Sequence, residues 1–448
     1  MQVTKRRLPI LVAFIALLYP GVGRASLATF VNAPDPSYQW EAGPSWQDGD
    51  VRFTSLRFTS QTFQGTKWQH VLTVARPSKL AASDHAVLIV GGGRHDQLPV
   101  FGSPHGQTPQ DKLAILRHLA ATSHLIVATV EQIPYQPLFD GQLEDAIISY
   151  SITQYFKTKD AHWPVLQPMV KSVVRAMDTL QAHAQGAWGI KLSSFTVSGE
   201  SKRGWTSWLT AAVDHRVTAV VPMVFDMLDM PTQLAHQVTV WGGYSEQLGD
   251  YDGLAKMLVT PAGGQLLEII DPYRMRAQLT QPKLMIFGTN DRYWPVDAAN
   301  LYAAALPSPS YRYYVVNSGH ETSGDPGVQE DRIVMALAAA GQLVLPKVDT
   351  AFELDRSTGD GTLRFVSDLA PKRLRVMKAV ASSLDFRTAV WTEWQRLPVD
   401  HDREIKAKVK IKSSGTQSSA AYIEASYELN GYPFTVSSVI GIVPKRDQ

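Results

Sequence analysis

The spacing of apolar residues changes character twice along the chain. Between residues 26 and about 80, short alternating runs of β-formers, "VRFTSLRFTSQTF" and "WQHVLTVARP", are separated by Gly, Asp and Ser and predict a β-rich segment. From residue 86 the runs become continuously apolar, and "AVLIVGGG" and "HLIVATV" read as strands buried on both faces. Between them "PQDKLAILRHLAATS" carries apolar residues at helical spacing, and "PVLQPMVKSVVRAMDTLQAHA" predicts a longer helix further on. The stretch "FTVSGESKRGWTSWLTAAVDHRV" reads as strand, sharp turn and helix. After it come "VTAVVPMVFD", "KLMIFGTND", a helix-like "VDAANLYAAAL" and "YRYYVVNSGH". Buried strands alternating with helices predict a parallel sheet covered on both sides.

Residues 227–280 are less regular. "WGGYSEQLGDYDG" and "TPAGG" predict loops, in an insertion or lid over the sheet. From about residue 350 the pattern is strand-only, running from "TLRFVSDL" to "PFTVSSVIGIV", as in a small β-sandwich. The expected organisation is an N-terminal β-rich segment (26–80), an α/β unit (81–345) containing the 227–280 insertion, and a C-terminal β-rich domain (350–448). A length of 448 residues accommodates two or three such units. No internal repeat or low-complexity tract stands out.

Residues 1–25 have the pattern of a secretory signal: Lys5, Arg6 and Arg7, then the apolar "LPILVAFIALLY", then "GRA" ahead of a cut near Ala25. The apolar run is short for a membrane span, which needs about 20 residues, so a cleaved signal is expected over a retained anchor. Removing residues 1–25 takes the formal charge from +2 to −2, which leaves no electrostatic footprint for nucleic acid. The chain contains no cysteine, hence no disulfide, thiolate metal site or lipidated cysteine. A soluble periplasmic or secreted protein is the expectation.

The turn at Gly199-Glu200-Ser201-Lys202-Arg203-Gly204 is where chemistry enters. An α/β-hydrolase elbow, G-x-S-x-G, lifts a serine hydroxyl out of a strained strand-to-helix turn. Here the first glycine is in place and the second stands one residue late, with Arg203 in the usual position. A serine at that point could also simply cap the helix. Chain order favours the elbow, because these hydrolases run Ser, acid, His, each at a strand end. Downstream lie His215, His236, His320 and His401, and of these only His320 follows a strand pattern directly. Asp291, just past "KLMIFG", is the favoured acid; Asp226, ending "VTAVVPMVFD", is the chief alternative and Asp297 the third. The oxyanion hole is expected from the backbone N–H of Lys202 and one in "IVGGGRH", with Gly93 the choice among Gly92, Gly93 and Arg94. "GGGRH" lacks the residues of a phosphate loop, and no metal-ligand spacing occurs, so neither metal nor cofactor is expected.

The blocks "VEQIPYQPLFDGQLEDAIISYSITQYF", "SGESKRGWTSWLTAAVDHRVTAVVPMVFDML", "DPYRMRAQLTQPKLMIFGTNDRYWPVDAANLYAAALP" and "VVNSGH" together resemble the PhoPQ-activated pathogenicity-related protein family. The resemblance implies a secreted bacterial α/β-hydrolase-like protein tied to virulence or envelope stress, with Ser201, Asp291 and His320 as nucleophile, acid and histidine. It supplies no substrate. Glu200 and Asp229 depart from the family pattern, which more often has a small residue and Asn there; Glu200 sets a negative charge beside the serine.

The expectation is therefore a serine hydrolase acting through an acyl-enzyme on an ester or peptide bond. The alternative is an inactive hydrolase scaffold whose C-terminal domain meets a protein partner. Trp241, Tyr244 and Tyr251 could line the pocket or merely pack a lid. Arg203 could bind a substrate carboxylate or pair with Glu144 or Asp145.

Overall fold

The computed structural model describes residues 26–97, 108–400, 404–412 and 415–446. The signal-like residues 1–25 and His401 lie outside this set. A short helix, α1 (Leu27–Asn32), precedes three antiparallel strands, β1 (Gln39–Asp48), β2 (Val51–Phe63) and β3 (Thr66–Pro77). Alternation of strand and helix then begins with β4 (His85–Val90), α2 (Gln110–Ser123), β5 (Ile126–Val130), α3 (Glu144–Thr158) and α4 (Leu166–Trp188). It continues through β6 (Ser194–Glu200), α5 (Lys202–Val213), β7 (Val217–Met223), α6 (Met230–Trp241), α7 (Leu254–Leu258) and α8 (Pro261–Ile270). The α/β part ends with β8 (Lys283–Gly288), β9 (Ser310–Val315) and α9 (Pro326–Ala339).

These strands form one sheet in the order β1-β2-β3-β5-β4-β6-β7-β8-β9. The six from β5 to β9 are mutually parallel, and β3 joins them antiparallel to β5. This is the α/β-hydrolase arrangement, extended by one antiparallel edge strand. The predicted N-terminal strands thus widen the main sheet. Period-two geometry explains the unbroken apolar runs. Ala86, Leu88 and Val90 of β4 face the layer of α4 and α5, while Val87 faces the layer of α2 and α9. The chain leaves β4 toward β5 on one side and returns to β6 on the other. This reversal opens a crevice at the strands' C-terminal ends, where ligands bind in open α/β sheets.

Two local expectations are corrected. Residues 227–280 are largely helical, and "TPAGG" opens α8 instead of forming a loop: the Thr260 side chain caps the Gly263 N–H and Pro261 occupies the first turn. "VDAANLYAAAL" in turn forms only two short 3₁₀ turns, Ala298–Leu301 and Ala303–Ala305. Its apolar spacing serves burial of Ala298, Ala299, Tyr302 and Ala303 without a continuous helix.

The C-terminal strands are β10 (Val348–Leu354), β11 (Gly361–Ser367), β12 (Arg373–Ala381), β13 (Thr392–Leu397), β14 (Ile405–Ile411), β15 (Ser418–Leu429), β16 (Tyr432–Ser437) and β17 (Gly441–Val443). They make two antiparallel sheets, β10-β11-β14 and β13-β12-β15-β16, with β17 on β15. Their apolar faces run into the α/β core without a break. Trp391 is buried and packs, tilted, at 5.4 Å against Tyr422, which lies 5.3 Å from Tyr314 of β9. Replacing Trp391 by Ala should cost about 3–5 kcal/mol. Denaturant titration should show the whole chain's transition moving to lower concentration; an unchanged transition for the α/β signals would mean the two parts unfold separately.

Candidate active site

Ser201 is the hinge residue between β6 and α5, with φ 56° and ψ −126°. That conformation costs a non-glycine residue of order 1–3 kcal/mol and persists only where the surroundings enforce it. The Ser201 N–H donates to Met223 O at 2.8 Å, and its carbonyl accepts from Trp205 N at 2.9 Å. A Cβ on Gly199 would lie 2.6 Å from the Arg203 carbonyl oxygen, and one on Gly204 would lie 2.7 Å from the Met223 carbonyl oxygen and 3.0 Å from that of Gly199. Close approach of helix to strand therefore requires the glycine at the later position, Gly204.

The Ser201 side chain does not cap its helix. It meets His320 Nε2 at 2.9 Å, and His320 Nδ1 meets Asp291 Oδ2 at 2.8 Å. Asp291 follows β8 in a tight turn and accepts the Tyr293 N–H on Oδ1 at 2.8 Å, so both carboxylate oxygens are engaged. The Tyr293 ring stacks on the imidazole at 4.0 Å. Asp291 is almost wholly buried, and His320 keeps a fifth of its side-chain surface open.

The other acids and histidines are placed elsewhere. Asp226 is buried with Oδ1 unpartnered among the described residues, and makes no bond to His320. Burial, and then the neighbouring Asp291 charge, push its carboxyl up to about 8 against the Tyr302 hydroxyl. Asp297 pairs with His236 at 2.8 Å, and His215 is exposed in the turn after α5. Around the crevice, the Gly91 N–H is spent on Val130 O and the His95 N–H on Gln136 O. That leaves the amides of Gly92, Gly93 and Arg94 without a partner among the described residues, and the same holds for Lys202 at the start of α5.

The charged side chains beside the serine are spoken for. Lys202 Nζ lies 2.9 Å from Glu144 and 3.3 Å from Asp145, and Arg203 lies 2.8 Å from Glu144 and donates to Ile133 O. Burial alone would raise the Glu144 carboxyl, but Arg203 and Lys202 outweigh it and hold it well below the usual carboxylate range. Arg203 thus pairs with the scaffold. Glu200 points to the histidine's turn, accepting from Thr322 N at 3.0 Å and Ser323 N at 2.8 Å. The sequence showed only a negative charge next to the serine; its function as a brace for residues 322–323 depends on partners 122 residues away.

A cavity opens from Ser201 beneath the helical insertion. Trp205, Phe225, Met227 and Leu234 line it together with Leu254 and Leu258. Trp205 and Phe225 stack at 4.9 Å. Tyr244 and Tyr251 reach it as well, with Tyr251 donating to Asp145 at 3.0 Å; Trp241 instead lies under Arg387. Among the described residues, no group of three or more His, Cys, Asp or Glu is placed to hold a metal, and no helix is long and apolar enough to cross a membrane.

A model of the PhoPQ-activated pathogenicity-related protein family matches residues 27–387. Among curated proteins, the autocrine proliferation repressor protein A of Dictyostelium discoideum is 28% identical over 404 residues, covering 84% of this chain and 79% of that one. Similar solved structures include acetyl xylan esterase 1 from Thermoanaerobacterium sp. JW/SL YS485, with 16% identity, 70% of this chain and 91% of that chain covered, and a TM-score of 0.48. An S-formylglutathione hydrolase from Agrobacterium tumefaciens shows 12% identity, coverage of 67% and 99%, and a TM-score of 0.44.

Asp226 gives a pH test. Its folded value of about 8 exceeds the unfolded 3.8, so the folded state holds a proton that the unfolded state releases between those limits. Stability tied to this group is full below about pH 4 and falls as pH rises towards 8. Asp226→Asn should remove that slope. Denaturation midpoints of wild type and variant should diverge in the variant's favour from pH 4 to 8; parallel curves would refute the assignment.

Proposed function

The chain belongs to the PhoPQ-activated pathogenicity-related protein family, and from that premise we propose that it is an exported serine hydrolase cleaving neutral esters with an apolar acyl part. The observation that carries the reading is the run of contacts from Ser201 Oγ to His320 Nε2 at 2.9 Å and from His320 Nδ1 to Asp291 at 2.8 Å. Export rests on the signal-like residues 1–25.

In this mechanism His320 Nε2 takes the Ser201 proton as Oγ bonds to the substrate's carbonyl carbon. Asp291 fixes the imidazole's orientation and stabilises its cationic form. The developing oxyanion is held by the amides of Lys202 and Gly93, the former aided by the positive end of α5. The imidazolium returns its proton to the departing alcohol, leaving an acyl-serine. Water, deprotonated by the same nitrogen, then releases the acid and restores Ser201.

Substrate class follows from the cavity's walls. Burying an acyl chain against Trp205, Phe225 and Leu254 is favourable, whereas Lys202 offers an anion little, because Glu144 and Asp145 already neutralise it.

Labelling of the purified protein by a fluorophosphonate should be abolished in Ser201→Ala and His320→Ala. In ester turnover these variants should lose roughly 10⁴-fold to 10⁶-fold in kcat, and Asp291→Asn about 10⁴-fold. Asp226→Asn should stay near wild type. A folded wild type that does not label would turn the reading toward a binding protein on a hydrolase scaffold. With p-nitrophenyl esters, kcat/KM should climb from acetate through hexanoate by roughly fourfold per buried methylene; a maximum at acetate would remove the acyl chain from this cavity.

A further inference from the structure

The acid and the histidine sit on separate turns, after β8 and β9, and these turns are bonded to one another. Asn290 N donates to Ser318 O at 2.9 Å, and Asn317 N donates to Thr289 Oγ1 at 2.8 Å. A third segment grips both. It is residues 382–391, "SSLDFRTAVW", the loop between β12 and β13. Asn290, directly before Asp291, extends Nδ2 to the carbonyls of Ala389 at 2.7 Å and Arg387 at 3.2 Å. Asn317, three residues before His320, bonds Trp391 twice: Nδ2 to Trp391 O at 3.0 Å, and Trp391 N to Oδ1 at 2.8 Å. The carboxamide donates from one atom and accepts on another, so Asn317 fixes the orientation of Trp391's backbone as well as its distance.

The loop is itself anchored. Phe386 and Trp391 are buried, and Trp391 packs on Tyr422 of β15. On its outer side Arg387 lies 2.8 Å from Glu246 and 4.2 Å over the Trp241 ring, both in the insertion that roofs the cavity.

We propose that Asn290 and Asn317 are positioning residues through which the β12–β13 loop holds Asp291 and His320 in reacting geometry, so that the C-terminal sheets are a working part of the hydrolase site. This rests on the serine-hydrolase reading. Neither asparagine touches the reacting atoms. Each acts through its neighbour on the turn, where a misplacement of about 1 Å costs on the order of 100-fold in rate.

Asn317 has φ 56°, a conformation that by itself favours Asn or Gly. Asn317→Gly keeps that backbone freedom and removes only the side-chain bonds, which makes it the discriminating variant beside Asn290→Ala. The full chain is compared by the second-order rate of fluorophosphonate labelling, by thermal unfolding, and by the low-field proton resonance of the His320–Asp291 hydrogen bond. Labelling about tenfold to hundredfold slower in both variants, at a temperature where both remain folded, is the expected result, with the low-field resonance broadened or lost. Rates within twofold of wild type and an unchanged resonance in Asn317→Gly would overturn the proposal, leaving that asparagine a backbone role only. A wild type that fails to label overturns the hydrolase reading and this proposal together, whereas equal labelling of wild type and variants overturns the proposal alone.

Discussion

The site depends on how closely α5 is pressed onto β6 and β7. Ser201 adopts its unfavourable backbone angles because Met223 O holds its amide and because glycines stand at 199 and 204, where any side chain would collide with a carbonyl. Lys202 opens α5, so its amide, like those of any first helical turn, has no acceptor within the helix. A looser junction would let the serine relax into a helix-capping geometry, with its hydroxyl spent on its own backbone. The strained backbone of Ser201 is thus held by one steric constraint, the close approach of α5 to the sheet.

Around that junction the polar groups are arranged to leave little net charge at the reacting centre. Lys202 and Arg203 are absorbed by Glu144 and Asp145, and Glu200 is absorbed by the amides of residues 322 and 323. Asp226 is pushed up to about 8 because burial outweighs the Tyr302 hydroxyl and the Arg312 charge that oppose it. The acid that does meet the imidazole is Asp291, whose two oxygens are each engaged, by the Tyr293 N–H and by His320 Nδ1, in a nearly closed setting.

Much of this was legible in the sequence. The elbow, the continuous apolar strands and the order of Ser201, Asp291 and His320 are local or ordinal features, and the structure brings those three residues together. The late second glycine looked like a departure, yet Gly204 is where the helix actually touches the sheet. Periodicity misled at "VDAANLYAAAL", where burial without a continuous helix produces the same spacing, and "TPAGG" hid a helix start behind two glycines. Asn290, Asn317 and the bracing role of Glu200 were not legible at all. Their partners lie about 70 to 120 residues away, and nothing in "GTND" or "VNSGH" distinguishes an asparagine that grips a distant loop from one that forms a turn.

The position of that loop along the chain bears on how the protein matures. Residues 382–391 follow the serine, the acid and the histidine in sequence. A chain synthesised amino end first presents Ser201, Asp291 and His320 before the segment that grips the turns of the last two. The bonds that tie the Asp291 and His320 turns to the C-terminal sheets, from Asn290 to Ala389 and from Asn317 to Trp391, are therefore among the last this part of the chain can form.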